Sequence, residues 1–142
     1  MLTLQRLDIT DANVLVGAAR AAAQGIAVPM CIAVTDEAGN LIAFERMDGA
    51  KIPSVQIAID KAFTAAGIRK GTDVLGEASQ PGKPVFGISS MLGGRMTTIA
   101  GGLPVIVEGA TIGAIGISSG SPDQDLHVAQ AALQFFQCKN EL

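Results

Sequence analysis

The chain has no tryptophan, no tyrosine, one histidine and two cysteines in 142 residues. Each scarcity closes off a class of function. Proteins that bind nucleic acid combine basic patches with aromatic platforms. Here all five aromatic residues are phenylalanine and the net charge is −3, so no nucleic-acid partner is expected. Cys31 and Cys138 are far apart and His127 is the only imidazole, which leaves no recognisable metal-ligand spacing and no metal site. Two isolated cysteines read as reduced structural thiols, as expected in the cytoplasm. Although 49% of residues are apolar, no unbroken apolar run is long enough to span a bilayer. The first residues, M-L-T-L-Q-R-L-D-I-T-D, lack the basic-then-apolar order of a secretory leader. There is no G-x-G-x-x-G and no P-loop, hence no nucleotide fingerprint.

What is present reads as one domain over residues 1–142. Asp11 to Gln24 is alanine-rich with helical spacing of Val14, Leu15, Ala18, Ala21 and Ala22, and Thr10 or Asp11 can cap it. Met30 to Thr35 and Leu41 to Arg46 are β-type runs joined by a turn-rich linker of hairpin length. Pro53 to Gly67 predicts a second long helix and Thr72 to Ala78 a short one. Gln80 to Gly94 reads as a glycine-rich loop with room for one short strand. Thr97 to Ala100, Leu103 to Val107 and Thr111 to Ser118 predict strands, with Glu108-Gly109 as a two-residue hairpin turn. Ser121, Pro122 and Gln124 form a capping box for the last helix. Helices before, between and after strands in hairpins predict an α+β domain.

Chemistry concentrates between Asp36 and Ala65, in a chain with only 16% charged residues. Arg46 and Asp48 end a strand-like run, and Gly49 leads to a helix carrying Asp60, Lys61 and Thr64 on a shared face. Phe44, two residues before Arg46, points to the same side of its strand. Arg46 and Lys61 are therefore expected to converge on one pocket and clamp a carboxylate, with Phe44 and Thr64 beside them and the Gly101-Gly102 turn nearby. The same types also have ordinary uses: Arg46 can pair with Asp48 or Glu45, and Lys61 with Asp60 or Glu77, on a solvated helix. The G-x-S-x-G word at 116–120 resembles a nucleophile elbow, but the lone His127 lies within two turns of the same helix start. Small residues that turn a strand into a helix explain it better.

Four words carry a resemblance across almost the whole chain: A-V-T-D-E-A-G-N-L-I-A-F-E-R-M-D-G-A (33–50), K-A-F-T-A-A (61–66), I-A-G-G-L-P-V (99–105) and G-A-I-G-I-S (113–118). With them the chain resembles the GlcG/HbpS family, which includes haem-degrading-domain and PduO C-terminal proteins. Asp125 matches an acidic residue of that family's final helix. The resemblance implies a five-stranded antiparallel sheet flanked by helices, similar to profilin and roadblock domains, in a homo-oligomer. It implies haem-binding, corrinoid-associated or small-acid catabolic roles, and in some members a cofactor-free enzyme acting on small aromatic compounds.

The chain departs from that pattern in three places. Asn40 stands where the family often has histidine, the early histidine offered as a haem-iron ligand has no counterpart, and Ser119 stands where glycine is usual. Haem is thus a family expectation without a histidine to ligate it, and no cofactor is required. Two readings follow. One is a small-ligand-binding protein with a pocket for an anionic organic molecule, haem or another tetrapyrrole included. The other is a cofactor-free lyase or isomerase on a small organic or aromatic acid, with Lys61 as acid/base and Asp48 or Asp125 as proton partner.

Overall fold

The computed structural model describes residues 1–142. Its elements run α1 (Ile9–Gly25), β1 (Cys31–Asp36), β2 (Leu41–Arg46), α2 (Ser54–Ile68), α3 (Thr72–Ala78), β3 (Gly102–Val107), β4 (Ala110–Ser118) and α4 (Pro122–Lys139). A 3₁₀ segment at Ile88–Gly94, broken at Met91 to Gly93, precedes β3. The sheet is antiparallel with strand order β2-β1-β4-β3.

Two of the three long helices start on local side-chain caps. Asp8 caps α1 reciprocally with Asp11, and Ser121 caps α4 reciprocally with Gln124, with Pro122 at the first position. The two hairpins are equally local. The Asp36 carboxylate accepts from the Ala38 and Asn40 amides at 2.9 Å each, closing the β1–β2 turn. Glu108 (φ 49°) and Gly109 (φ 79°) both take the left-handed conformation that a two-residue β3–β4 turn needs.

The two faces of the sheet differ. On one, α1 and α4 bury Leu15, Ile32, Val34, Ile115, Ile117, Val128 and Phe136 in the main core. On the other, α2 lies on Cys31, Ala33, Ala114 and Gly116 through Ala58, Ala62, Ala65 and Ala66. The helix backbone comes so close that a methyl group at Gly116 would strike the Ala58 carbonyl and lie 2.6 Å from the Ala62 amide nitrogen.

The expectation of five strands is corrected to four. Thr97 to Ala100 forms no strand because side chains intercept its backbone. The Thr64 hydroxyl donates to Arg95 O at 3.0 Å and accepts from Thr97 N at 2.9 Å. The Thr72 hydroxyl donates to Ile99 O at 2.6 Å and accepts from Gly102 N at 3.0 Å. With these groups satisfied, no ladder is needed to cover them. Arg95, stacked 3.8 Å over the Phe63 ring and paired with Asp60 at 2.9 Å, pins the same segment to α2. No helix is long and apolar enough to cross a membrane.

Candidate functional site

Lys61 projects from the buried face of α2 and is 1% exposed, so it is not a solvated helix lysine. Its Nζ donates to Asp125 Oδ2 and to Ile117 O, both at 2.8 Å. An ammonium carries three donors; the third finds no acceptor in the protein. Asp125, 3% exposed on the first turn of α4, also accepts from the Gly120 amide at 2.9 Å. Burial pulls the Lys61 ammonium below its ordinary range against the opposing pull of Asp125. Burial likewise pushes the Asp125 carboxyl up, against the hydrogen bonds from Lys61 and Gly120. Gly101 (φ 127°) makes room for the pair, because a β-carbon there would sit 2.9 Å from both Lys61 Nζ and Asp125 Cβ. Gly102 packs against the Lys61 backbone carbonyl.

The pair forms part of the wall of a cavity of about 490 Å³, at the end of the sheet where β4 gives way to α4 and the turn after β2 enters α2. Lys51, Ser54, Ser118, Ser119 and Gly120 line it with Ile57, Ile99 and two prolines. Ser54 and Ser118 are each 4% exposed, and neither hydroxyl makes a hydrogen bond within the protein. Ser118 is not bonded to His127, which lies outside the cavity, so the G-x-S-x-G word builds a pocket wall without a serine–histidine pair.

Of the residues singled out from sequence, Lys61, Asp125, Gly101 and Gly102 meet here. Arg46 and Asp48 do not. They line a separate open cleft of about 400 Å³ beside Arg20 and Glu45, and neither is in an ion pair. The register explains this. Arg46 pairs with Cys31, and Cys31 with Ser118, so Arg46 lies two strands, roughly 10 Å, across the sheet from the pocket wall. The expected convergence of Arg46 with Lys61 is therefore corrected: the charge that meets Lys61 is Asp125. Phe44 packs under α2 with Val55 and Ile59, and Thr64 is spent on the Arg95–Thr97 backbone. Lys51, Ser54 and Ser119 were not anticipated. The signals were the lysine directly after the M-D-G-A word and the small-residue word at 116–120.

No histidine, cysteine, methionine or tyrosine lines the cavity, so it offers haem iron none of the usual axial ligands. No cluster of three or more His, Cys, Asp or Glu side chains is arranged to hold a metal.

Comparison with known proteins places this geometry in a family. The family described as "Haem degrading protein HbpS-like" matches residues 7–134. The chain is 38% identical over 130 residues, 92% of both chains, to an uncharacterised 15.0 kDa protein of the dhaT–dhaS intergenic region of Citrobacter freundii. Among solved structures it is similar to Klebsiella pneumoniae ORFY, with a TM-score of 0.94 and 34% identity over 96% of this chain and 94% of that one. It is similar to the protein of a PduOC haem complex at a TM-score of 0.88 and 35% identity, over 92% of this chain and 94% of that one. A match over most of the chain in both sequence and structure shows that it belongs to the HbpS-like family, with GlcG and the PduO C-terminal proteins.

Proposed function

We propose that the chain is a small-ligand-binding protein whose pocket receives the anionic end of a small organic molecule. The observation that carries this reading is the buried Lys61 ammonium with one unused donor, in a cavity that the Ser54 and Ser118 hydroxyls also line. A carboxylate oxygen entering the cavity supplies an acceptor for the unused ammonium donor and for both hydroxyls. The lysines at 51 and 61 against one aspartate leave one positive charge over. The cavity is of the size that small-molecule sites usually have. The PduOC haem complex supports a ligand-binding role by kinship. Haem carries propionates with the required chemistry, and on this reading it binds through them rather than through iron.

Benzoate, a small flat carboxylate, is a direct probe. It should raise the melting temperature in proportion to the logarithm of its concentration. Ser54→Ala and Ser118→Ala should each weaken it by about tenfold, the loss of one hydrogen bond to a charged group. Unchanged affinity in both variants rejects the pocket. In a hemin titration no sharp low-spin Soret band lost in His127→Ala should appear.

The buried acid–base pair also supports a second reading, the cofactor-free lyase or isomerase. Lys61, its proton loosened by burial, would exchange a proton with substrate and Asp125 would take or return it. Incubating candidate acids with the protein in D₂O and finding no deuterium beside the carboxylate would dismiss it.

We also propose that copies assemble in the cytoplasm. Phe86, Met91 and Leu92 stand 69%, 56% and 64% exposed close together along the chain, apolar surface that a second copy would cover. Sedimentation at micromolar concentration should show more than one chain mass.

A further inference from the structure

We infer that Ser119 is a positioning residue that holds Lys51 over the pocket as a second cation, the one that meets the carboxylate of the ligand. The inference rests on the anion pocket proposed above and specifies its charge.

Ser119 has φ 106°, inside the region that favours glycine. Five other non-glycine residues have positive φ, and all lie between 49° and 59°, the ordinary left-handed well that a side chain tolerates. Ser119 alone stands outside that well, and it does so at the position where the family resemblance puts glycine. A strained backbone persists only where its surroundings hold it. Here the hold is visible: the Ser119 hydroxyl accepts the Lys51 amide at 3.0 Å, joining segments 68 residues apart.

That bond fixes the turn between β2 and α2. The turn has its own backbone bonds, Ala50 N to Met47 O and Ser54 N to Lys51 O, so it can form without the serine. What the serine adds is where the turn sits against the end of β4. Lys51 thereby lines the same cavity as Asp125, and its charge is felt at that carboxylate. Lys51 forms no ion pair of its own, so its ammonium is free to meet a ligand. With Lys61 already committed to Asp125, Lys51 is the charge left for the incoming anion.

Two variants separate hydroxyl from strain. Ser119→Ala removes the hydroxyl and keeps the strained backbone; Ser119→Gly removes both. Amide exchange at Lys51 by NMR reads the tether, and benzoate affinity at low and high salt reads the cation. Both variants should speed Lys51 exchange and weaken benzoate about three- to tenfold. Both should lose most of the salt dependence of binding, because an exposed cation is the part that salt screens. Ser119→Gly should melt above Ser119→Ala. Lys51→Met should weaken benzoate by a similar factor, and adding Ser119→Gly to it should change nothing further. Multiplying effects in the double variant, or unchanged Lys51 exchange in both serine variants, overturns the inference. If the parent protein fails to bind benzoate, the ligand class falls with the pocket; the tether is then judged on Lys51 exchange alone, so the two failures are told apart.

Discussion

The two faces of the sheet solve packing in opposite ways. Under α1 and α4 the fold is thick: Leu15, Ile32, Val34, Ile115 and Phe136 fill it with large side chains. Under α2 it is thin: alanines meet Ala33, Ala114 and Gly116, and helix backbone nearly rests on strand backbone. The thick face gains apolar area, roughly 25 cal/mol for each Å² removed from water. The thin face gains little of that, yet Lys61, Thr64 and Thr72 are buried there, and Lys61 reaches Asp125 past the sheet end. The close approach of α2 to the sheet brings Lys61 to a carbonyl of β4 and a carboxylate of α4. Stability and chemistry are thus divided between faces.

The sharpest way to break this comparison is at Lys61. Lys61→Met leaves Asp125 buried without its cation, and should cost about 3–5 kcal/mol of stability in urea unfolding. This reverses the expectation that follows from sequence, where two converging cations would make the same change neutral or favourable. Lys61→Met with Asp125→Leu removes both charges and should recover most of the loss. The pH dependence has a definite sign. Asp125 titrates above its ordinary value of 3.8 when folded, so its stabilising contribution is full below 3.8 and is lost as pH rises through the folded value. Lys61 titrates below its ordinary 10.5 when folded, so its contribution is full above 10.5 and is lost as pH falls through the folded value. The ionised pair therefore costs stability between the two folded values. The double variant should compare most favourably with the parent near neutrality and lose ground as pH falls toward 4, in unfolding curves taken at each pH. A difference that does not vary with pH would show the pair uncoupled from folding.

How far this was legible in the sequence follows from the range of the forces. The caps at Ser121 and Gln124, the hairpin at Glu108-Gly109 and the apolar periodicities are local, and the elements they define lie where expected to within a few residues. The strand expected at Thr97 to Ala100 failed because its partners, Thr64 and Thr72, reach it from other elements through side chains that no periodicity reveals. The site divided in the same way. Arg46 and Lys61 are close in sequence, yet Arg46 ends β2 while Lys61 reaches β4, two strands away. Lys61 and Asp125 are 64 residues apart and in contact. Asp125 was flagged only by family resemblance, and Lys51 and Ser54 not at all, because what joins them is the meeting of three chain segments at one end of the sheet.

A second test sets the faces against each other directly. Gly116→Ala adds one methyl group where the α2 backbone leaves no space, and should cost about 1–3 kcal/mol through forced displacement of the helix. Ile115→Val, the neighbouring residue on the thick face, removes one methyl group and should cost about 0.5–1.5 kcal/mol. Adding should therefore hurt more than removing. Gly116→Ala should also disturb the amide resonances of Ala58 to Lys61, while Ile115→Val leaves them in place. Equal effects on α2 from both changes would mean that the helix is not held at contact distance.

The smallest contrast lies within the thin face, between two threonines that are fully buried. Thr64 uses its hydroxyl twice, as donor to Arg95 O and acceptor from Thr97 N. Thr35 uses its hydroxyl not at all; its oxygen is the one buried side-chain polar atom without a partner. The isosteric change to valine should therefore act in opposite directions. Thr64→Val strands two backbone groups and should cost about 1–3 kcal/mol. It should also loosen residues 95–98, readable as faster amide exchange at Thr97. Thr35→Val replaces an unsatisfied hydroxyl with a methyl group of the same shape and should stabilise the protein by about 1 kcal/mol, the lower end of the cost of burying a polar group unpaired. A loss of stability in Thr35→Val would mean that its hydroxyl has a partner in solution, a buried water being the simplest, and that the thin face is wetter than its packing suggests.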